Sequence, residues 1–164
     1  LVRNRQTERE VADCNSLVTN LVTLAEPDAR AADVALRLDL ADDLPLVEVD
    51  QVQIQQVLLN LVRNAIDATL AVDGGLREIM IRTALSESRD VAVSVADHGC
   101  GLPHTELEKL CTPFYTTKRE GTGLGLSISQ SILRAHGGAM HFSNNPDGGA
   151  TVTFTLPAKV DNQE

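Results

Sequence analysis

The chain has 164 residues, 43% of them apolar, and a formal net charge of −9. That length supports one domain with its own core. The acidic balance, with no basic run longer than Lys118-Arg119, argues against nucleic-acid binding and against contact with an anionic membrane surface.

No apolar run approaches the roughly 18 residues of a membrane span, and no signal peptide opens the chain. Cys14, Cys100 and Cys111 are odd in number and lack CxxC spacing, which points to a reducing compartment, so the domain is expected to be cytoplasmic. With only Phe114, Tyr115, Phe142 and Phe154 as aromatics, the core must be aliphatic. The first residue is not Met, consistent with an excerpt of a longer protein.

Residues 7–26 predict a helix, with Val11, Cys14, Leu17 or Val18, Leu21 and Leu24 on one side and Pro27 as its stop. Its narrow apolar seam suits the end of a helical hairpin shared with a second copy. Residues 1–27 are set apart as an N-terminal helix and linker, read as part of a dimerisation helix under the resemblance given below, with 28–158 as the main domain and 159–164 as a polar tail. An ordinary helix lying on the domain is the alternative.

Residues 34–40 alternate Val34, Leu36, Leu38 and Leu40 with polar positions and predict a half-exposed strand. Residues 46–49 predict a short, edge-like strand. Residues 50–69 then predict a strong amphipathic helix. Ile54, Val57, Leu58, Leu61, Val62 and Ala65 recur at helical spacing, Asp50 can cap, and Val49 can staple to Ile54. Gln53, Gln56, Asn60, Asn64 and Asp67 share the opposite face. Asn60 and Asn64 are one turn apart, so their amides point the same way. Asn is a mediocre helix former. Two on one face suit either a solvated surface or a floor for an ion, since an amide oxygen is a neutral hard ligand fit for one position on Mg²⁺.

Residues 78–84 and 90–97 predict two strands joined by a hairpin-like turn at 86–89. Residues 98–122 are rich in Gly and Pro and poor in periodicity, with 105–110 as the one stretch fit for a short helix. Such a connection inside a compact domain reads as a functional lid, mobile without ligand. His98, Cys100, His104 and Cys111 fall in it without the usual zinc-ligand spacings and are read as loop residues. Residues 124–135 predict a helix with Leu124, Ile128, Ile132 and Ala135 inward, closed by Gly137-Gly138. Residues 139–143 and 151–156 predict a hairpin around the turn 144–149. Strands that neighbour each other in hairpins leave one face for helices. The fold class is α+β: a mixed, mostly antiparallel sheet covered on one side by three helices.

Three patches carry chemistry. The first is the Asn60/Asn64 face. The second is Asp97-His98-Gly99-Cys100-Gly101, where a carboxylate at a strand end can accept from an exocyclic amine such as that of adenine. The third is Gly121-Thr122-Gly123-Leu124-Gly125-Leu126 before a helix, where backbone N–H groups and the helix dipole suit an anion. The last is neither a P-loop nor a dinucleotide-binding fingerprint.

The order N-x-x-x-N, D-x-G-x-G, T-P-F-Y-T-T-K and G-T-G-L-G-L resembles the ATP-binding catalytic domain of sensor histidine kinases, within the group that includes DNA gyrase B, Hsp90 and MutL. The four motifs run from Asn60 to Leu126. The sequences NLVRNAIDA and TPFYTTKREGTGLGLSISQSILRAHGG are most similar to the branch that senses oxygen and nitrogen status. The resemblance implies a two-layer α/β sandwich of the Bergerat type that binds ATP and Mg²⁺ in residues 28–158. It implies that Asn64 holds Mg²⁺ with Asn60 beside it near the phosphates, and that Asp97 takes the adenine amine. Gly99 and Gly101 would hinge the lid, Phe114 would pack it down, and Gly121, Gly123 and Gly125 would wrap the phosphates. Lys118, or Arg119, would reach the γ-phosphate, as would Arg63 from the helix. Asp67, Leu102, Thr122, Leu124 and Leu126 complete the implied nucleotide-binding set.

Two departures from the family pattern stand out. Many relatives carry Lys and a ring residue where this chain has Asp67 and Ala68, and a small polar residue where it has Ala150, with Thr151 as a candidate substitute. ATP-hydrolysing cousins carry a carboxylate one turn before the metal Asn. Asn60 stands there and cannot act as a base, which favours phosphoryl transfer to a histidine delivered from outside. None of His98, His104, His136 and His141 has the context of a phosphoacceptor. The expected partners are therefore a His-bearing dimerisation domain, as a homodimer in the full protein, and a response regulator. A serine kinase or anti-sigma switch on the same fold, and a nucleotide-binding module without turnover, are the alternatives.

Overall fold

The computed structural model describes residues 8–100 and 124–160. In chain order the elements are β1 (Glu10–Ala12), α1 (Cys14–Ala31), β2 (Ala35–Asp39), β3 (Val47–Val49), α2 (Gln51–Leu70), β4 (Glu78–Leu85), β5 (Val91–Ala96), α3 (Leu124–Ala135), β6 (Ala139–Asn144) and β7 (Ala150–Leu156). Five strands form one sheet in the order β2-β4-β5-β7-β6, while β1 and β3 form a separate antiparallel ribbon. Within the large sheet β2 runs parallel to β4 and the other pairs are antiparallel. The expected mixed, mostly antiparallel sheet is borne out.

The strands alternate as their sequences require. Val91, Val93 and Val95 of β5 are buried, beside Ile79 and Ile81 of β4 and Phe154 and Leu156 of β7. Arg82, Ser94 and Thr153 line up in register on the other face. One apolar face leaves one place for helices. Along it, α1 packs on β2 and β4, α2 on β4 and β5, and α3 on β6 and β7. Helix α2 lies between α1 and α3 and supplies the centre of the core through Ile54, Val57, Leu58, Leu61 and Val62. Its cap forms as the sequence suggests. Asp50 Oδ1 accepts from the backbone N–H groups of Val52 and Gln53, and Val49 and Ile54 are both buried.

Helix α1 differs from expectation at both ends. Residues 10–12 are extended because they find a strand partner in β3, and Asp13 caps the helix by accepting from Asn15 N–H and Ser16 Oγ–H. The helix also passes through Pro27 to Ala31. Proline inside a helix costs about 3 kcal/mol. Here it sits on the exposed face, where the freed carbonyl can be hydrated, while Ala25 and Ala29 on the other side are fully buried. The boundary expected at residue 27 thus falls inside α1, and Cys14, Leu17, Val18 and Leu21 share the core with α2. Leu24 is 60% exposed.

Helix α3 matches its predicted span and part of its predicted inward face, since Ile132 packs against the core as expected. Ser129, Leu133 and His136 are buried and Ile128 is exposed, because the helix seats one position further round. Its end is closed by Gly138 N–H on Leu133 O and Gly137 N–H on Arg134 O, the paired bonds of a Schellman stop.

Candidate functional site

The α2 face carrying Asn60 and Asn64 is turned toward α3. Asn60 Nδ2 donates to Ser129 Oγ at 3.4 Å, across 69 residues of chain. Near the start of α2, the Asp50 N–H donates to Nε2 of His136, just past α3. Going forward from residue 50 to 60 on α2 therefore means going backward from 136 to 129 beside it, so the two helices are antiparallel. At 1.5 Å per residue, Leu124 lies about 7.5 Å beyond Ser129 and Asn64 about 6 Å beyond Asn60. The N-terminal end of α3, which follows the glycine run, is level with Asn64. Both Asn side chains are half-buried.

The second patch closes on the same helix. Asp97, 6% exposed, follows β5. Its Oδ1 accepts from Gly99 N–H at 2.8 Å and Ala150 N–H at 3.2 Å. Among the described residues these two donors reach the carboxylate, both at Oδ1, which leaves Oδ2 as the acceptor for a ligand. Burial pushes the Asp97 carboxyl above the ordinary aspartate range, while the Gly99 and Ala150 amides and the neighbouring His98 pull it back. Gly99 lies against α2 so closely that a Cβ there would stand 2.4 Å from the Ala68 carbonyl oxygen. Gly149, at φ +87°, approaches Asp97 as closely: its Cβ would meet the Asp97 carbonyl oxygen at 2.1 Å. These contacts set the buried carboxylate beside the C-terminal half of α2, one turn past Asn64.

Asp97 has two further supports, Asn145, which the sequence reading did not single out, and Thr151, which it named as a candidate substitute at the Ala150 place. Asn145 Nδ2 donates to the Asp97 carbonyl at 3.0 Å, and Thr151 Oγ1 donates to Asn145 Oδ1. Thr151 therefore braces the turn, and the Ala150 position serves Asp97 through its backbone N–H. The Asn-rich turn was a visible signal. A backbone donor leaves none in side-chain identity. Ser129 was hidden for a different reason: a serine among apolar helix positions reads as filler until its neighbour is known.

Arg63 stands elsewhere. Its Nε is 3.2 Å from Asp28 Oδ2 on α1, so it is turned to the opposite side of α2 from α3. It lies about 100° from Asn64 around the helix axis, and in this arrangement its guanidinium is engaged by Asp28. Asp67 is exposed on α2, and Leu126 packs against the core, leaving its backbone for any ligand role. Gly101, Leu102, Phe114, Lys118, Gly121, Thr122, Gly123 and the side chain of Leu124 lie outside the described residues, as does Gly125 beyond its place in α3. The lid expected over residues 98–122 falls there too, apart from 98–100. Among the described residues no three His, Cys, Asp or Glu side chains converge on a point. The donors at hand are amide oxygens, which fits a cation that keeps waters and phosphate oxygens and takes few protein ligands, as Mg²⁺ does. No described helix is long and apolar enough to cross a membrane.

Residues 49–160 match the family model of histidine kinase-, DNA gyrase B- and HSP90-like ATPases. The chain is 40% identical over 161 residues to the sensor protein FixL of Bradyrhizobium diazoefficiens, covering 98% of this chain and 32% of that protein. It is 34% identical over 160 residues to the sensor histidine kinase ZraS of Escherichia coli, covering 98% of this chain and 33% of that protein. It thus spans about a third of the length of the curated relatives it matches. The nucleotide-free catalytic domain of histidine kinase ThkA superposes with a TM-score of 0.80 at 34% identity, over 92% of this chain and 96% of that one. Full-length ShkA in complex with AMPPNP superposes with a TM-score of 0.83 at 25% identity, over 98% of this chain and 33% of that one. With the family match over residues 49–160 and a sheet and helix layer shared with a histidine kinase catalytic domain, the chain belongs to the histidine kinase-, DNA gyrase B- and HSP90-like ATPase family.

Proposed function

We propose that this domain binds Mg²⁺-ATP between α2 and the segment leading into α3, and passes the γ-phosphoryl group to a histidine on a separate dimerisation domain of the same protein. The observation that carries this reading is the antiparallel seating of α3 on α2, which brings Asn64, the N-terminal end of α3 and Asp97 along one side of one helix. Asp97 Oδ2 accepts from the adenine amine, and Oδ1 is held by Gly99 and Ala150. Asn64 Oδ1 takes one position on Mg²⁺ and Asn60 lies beside it toward the phosphates. When bound, the cation neutralises charge on the phosphate oxygens. The chain's own part is to hold and orient: glycine-run amides face the anion, and Asn60 in the place of a carboxylate leaves no side chain there to deprotonate water.

His136 is buried with both ring nitrogens engaged, and His141 stands on the outer face of the sheet, which supports an acceptor from outside. In the full protein, the acceptor histidine belongs to a dimerisation domain, and a response regulator takes the phosphoryl group next. A structure of histidine kinase ThkA in complex with the response regulator TrrA, 31% identical over 93% of this chain, supports a response regulator as partner.

Equilibrium titration with ATP, ADP and GTP, with and without Mg²⁺, tests the binding half. ATP is expected to bind well ahead of GTP, and equal affinities remove the role given to Asp97. Adding γ-labelled ATP tests the other half. Phosphohistidine is expected on an added His-bearing dimerisation domain and not on this chain, and label on this chain overturns the reading.

A further inference from the structure

Asp50 and His136 are joined in a way that neither helix capping nor core packing requires. Asp50 caps α2 and is 1% exposed, and its own N–H donates to His136 Nε2 at 3.1 Å, in a buried setting across 86 residues of chain. His136 Nδ1 lies 2.8 Å from the Ile132 carbonyl oxygen. A backbone N–H can only donate, so Nε2 holds a lone pair and the ring proton sits on Nδ1, bonded to Ile132. The imidazole is therefore a neutral strut with one defined tautomer. Together with the Asn60–Ser129 contact, it ties α3 to α2 at two points about 10 Å apart along α3. Two points fix the direction of a rod, and the end of this rod far from His136 is the one that follows the glycine run.

We infer that His136 is a positioning residue for the phosphate end of the site, which sets where the N-terminal end of α3 stands relative to Asn64. This rests on the Mg²⁺-ATP reading above. The adenine end is held by β5, β7 and the Asn145 turn, none of which depends on the strut.

The test compares Mg²⁺-ATP with adenosine, which lacks phosphates. In His136→Asn the shorter side chain keeps a donor near Nδ1 but cannot reach the Asp50 N–H. In His136→Gln, Oε1 reaches about as far as Nε2. The Asn variant should bind Mg²⁺-ATP about five- to tenfold more weakly, the loss of one hydrogen bond, with adenosine unchanged, and the Gln variant should regain most of the loss. Equal weakening of both ligands, or of neither, overturns the inference. Should the Asn variant fail to fold, the unaltered chain decides. Coupling is reciprocal, so the Asp50 amide should gain hydrogen-exchange protection with Mg²⁺-ATP and not with adenosine, and the same gain with both overturns it. Failure of the unaltered chain to bind Mg²⁺-ATP removes the underlying reading itself and is seen before any variant is made.

Discussion

The two ends of the groove beside α2 are built on different principles. The base end is a buried carboxylate gripped by backbone: Gly99 and Ala150 donate to it, Gly149 lies against the Asp97 main-chain carbonyl, and Gly99 rests on Ala68. The phosphate end is a row of half-exposed side chains on one helix face, opposed by a second helix. The first is continuous with the core, so changes there reach the fold. The second can lose a functional group and keep its helix.

The largest effect is therefore expected at the base end. In Gly99→Ala the new methyl meets a backbone carbonyl that cannot swing away, and overpacking of this kind costs about 1–3 kcal/mol or more. Thermal unfolding should shift down and nucleotide binding should vanish together. If Gly99→Ala binds ATP normally, the base end is not the rigid part. Asp97→Asn separates chemistry from fold at the same place. The Asn oxygen can keep both amide donors, while its NH₂ opposes the adenine amine. ATP affinity should fall by about 1.5–3 kcal/mol, tenfold or more, with no drop in Tm.

The acid side of the pH profile sharpens this. A raised carboxyl pKa means that the folded state favours protonated Asp97. The stability so contributed is present below the unfolded value, about 3.9, and is lost as pH rises through the raised value. Affinity runs the other way. Acidification should weaken ATP binding at a higher pH than an ordinary aspartate would, and Asp97→Asn should remove that limb.

At the phosphate end Asn64→Ala should weaken Mg²⁺-ATP about tenfold, with Tm and adenosine affinity held. A matching loss for adenosine would show that the two ends are not separable. The smallest effect is expected at Arg63→Ala. Its partner Asp28 is about half exposed, and such pairs contribute roughly 0–1 kcal/mol. ATP affinity should be unchanged, and a tenfold loss would return Arg63 to the site.

Much of this was legible in the chain itself. The stripe of α2, its Asp50 cap and the Asn60/Asn64 face are interactions among residues three or four apart, so periodicity reveals them. The span of α3 and the alternation of β4 and β5 follow for the same reason. Helix α1 was misjudged at its start because a strand partner 35 residues away, Val47 against Ala12, decides where extended chain gives way to helix. Its end was misjudged because Pro27 weighs heavily in local propensity and lightly beside buried Ala25 and Ala29. Cys14 shows the same limit. In sequence it is a plain thiol. Burial, with Asp13 beside it, pushes it up to about 12, so it is inert at neutral pH.

By itself, the sequence determined the elements whose stabilising contacts lie within a turn or a hairpin, and the motif order that marks the family. Only the tertiary structure decided which side of α2 faces α3, that Arg63 turns to Asp28, that Ala150 serves Asp97 through its backbone, and that His136 meets Asp50. The physical reason is common to all four. Each depends on a partner 35 to 86 residues away, and a side chain's identity does not say which distant group packing will place against it.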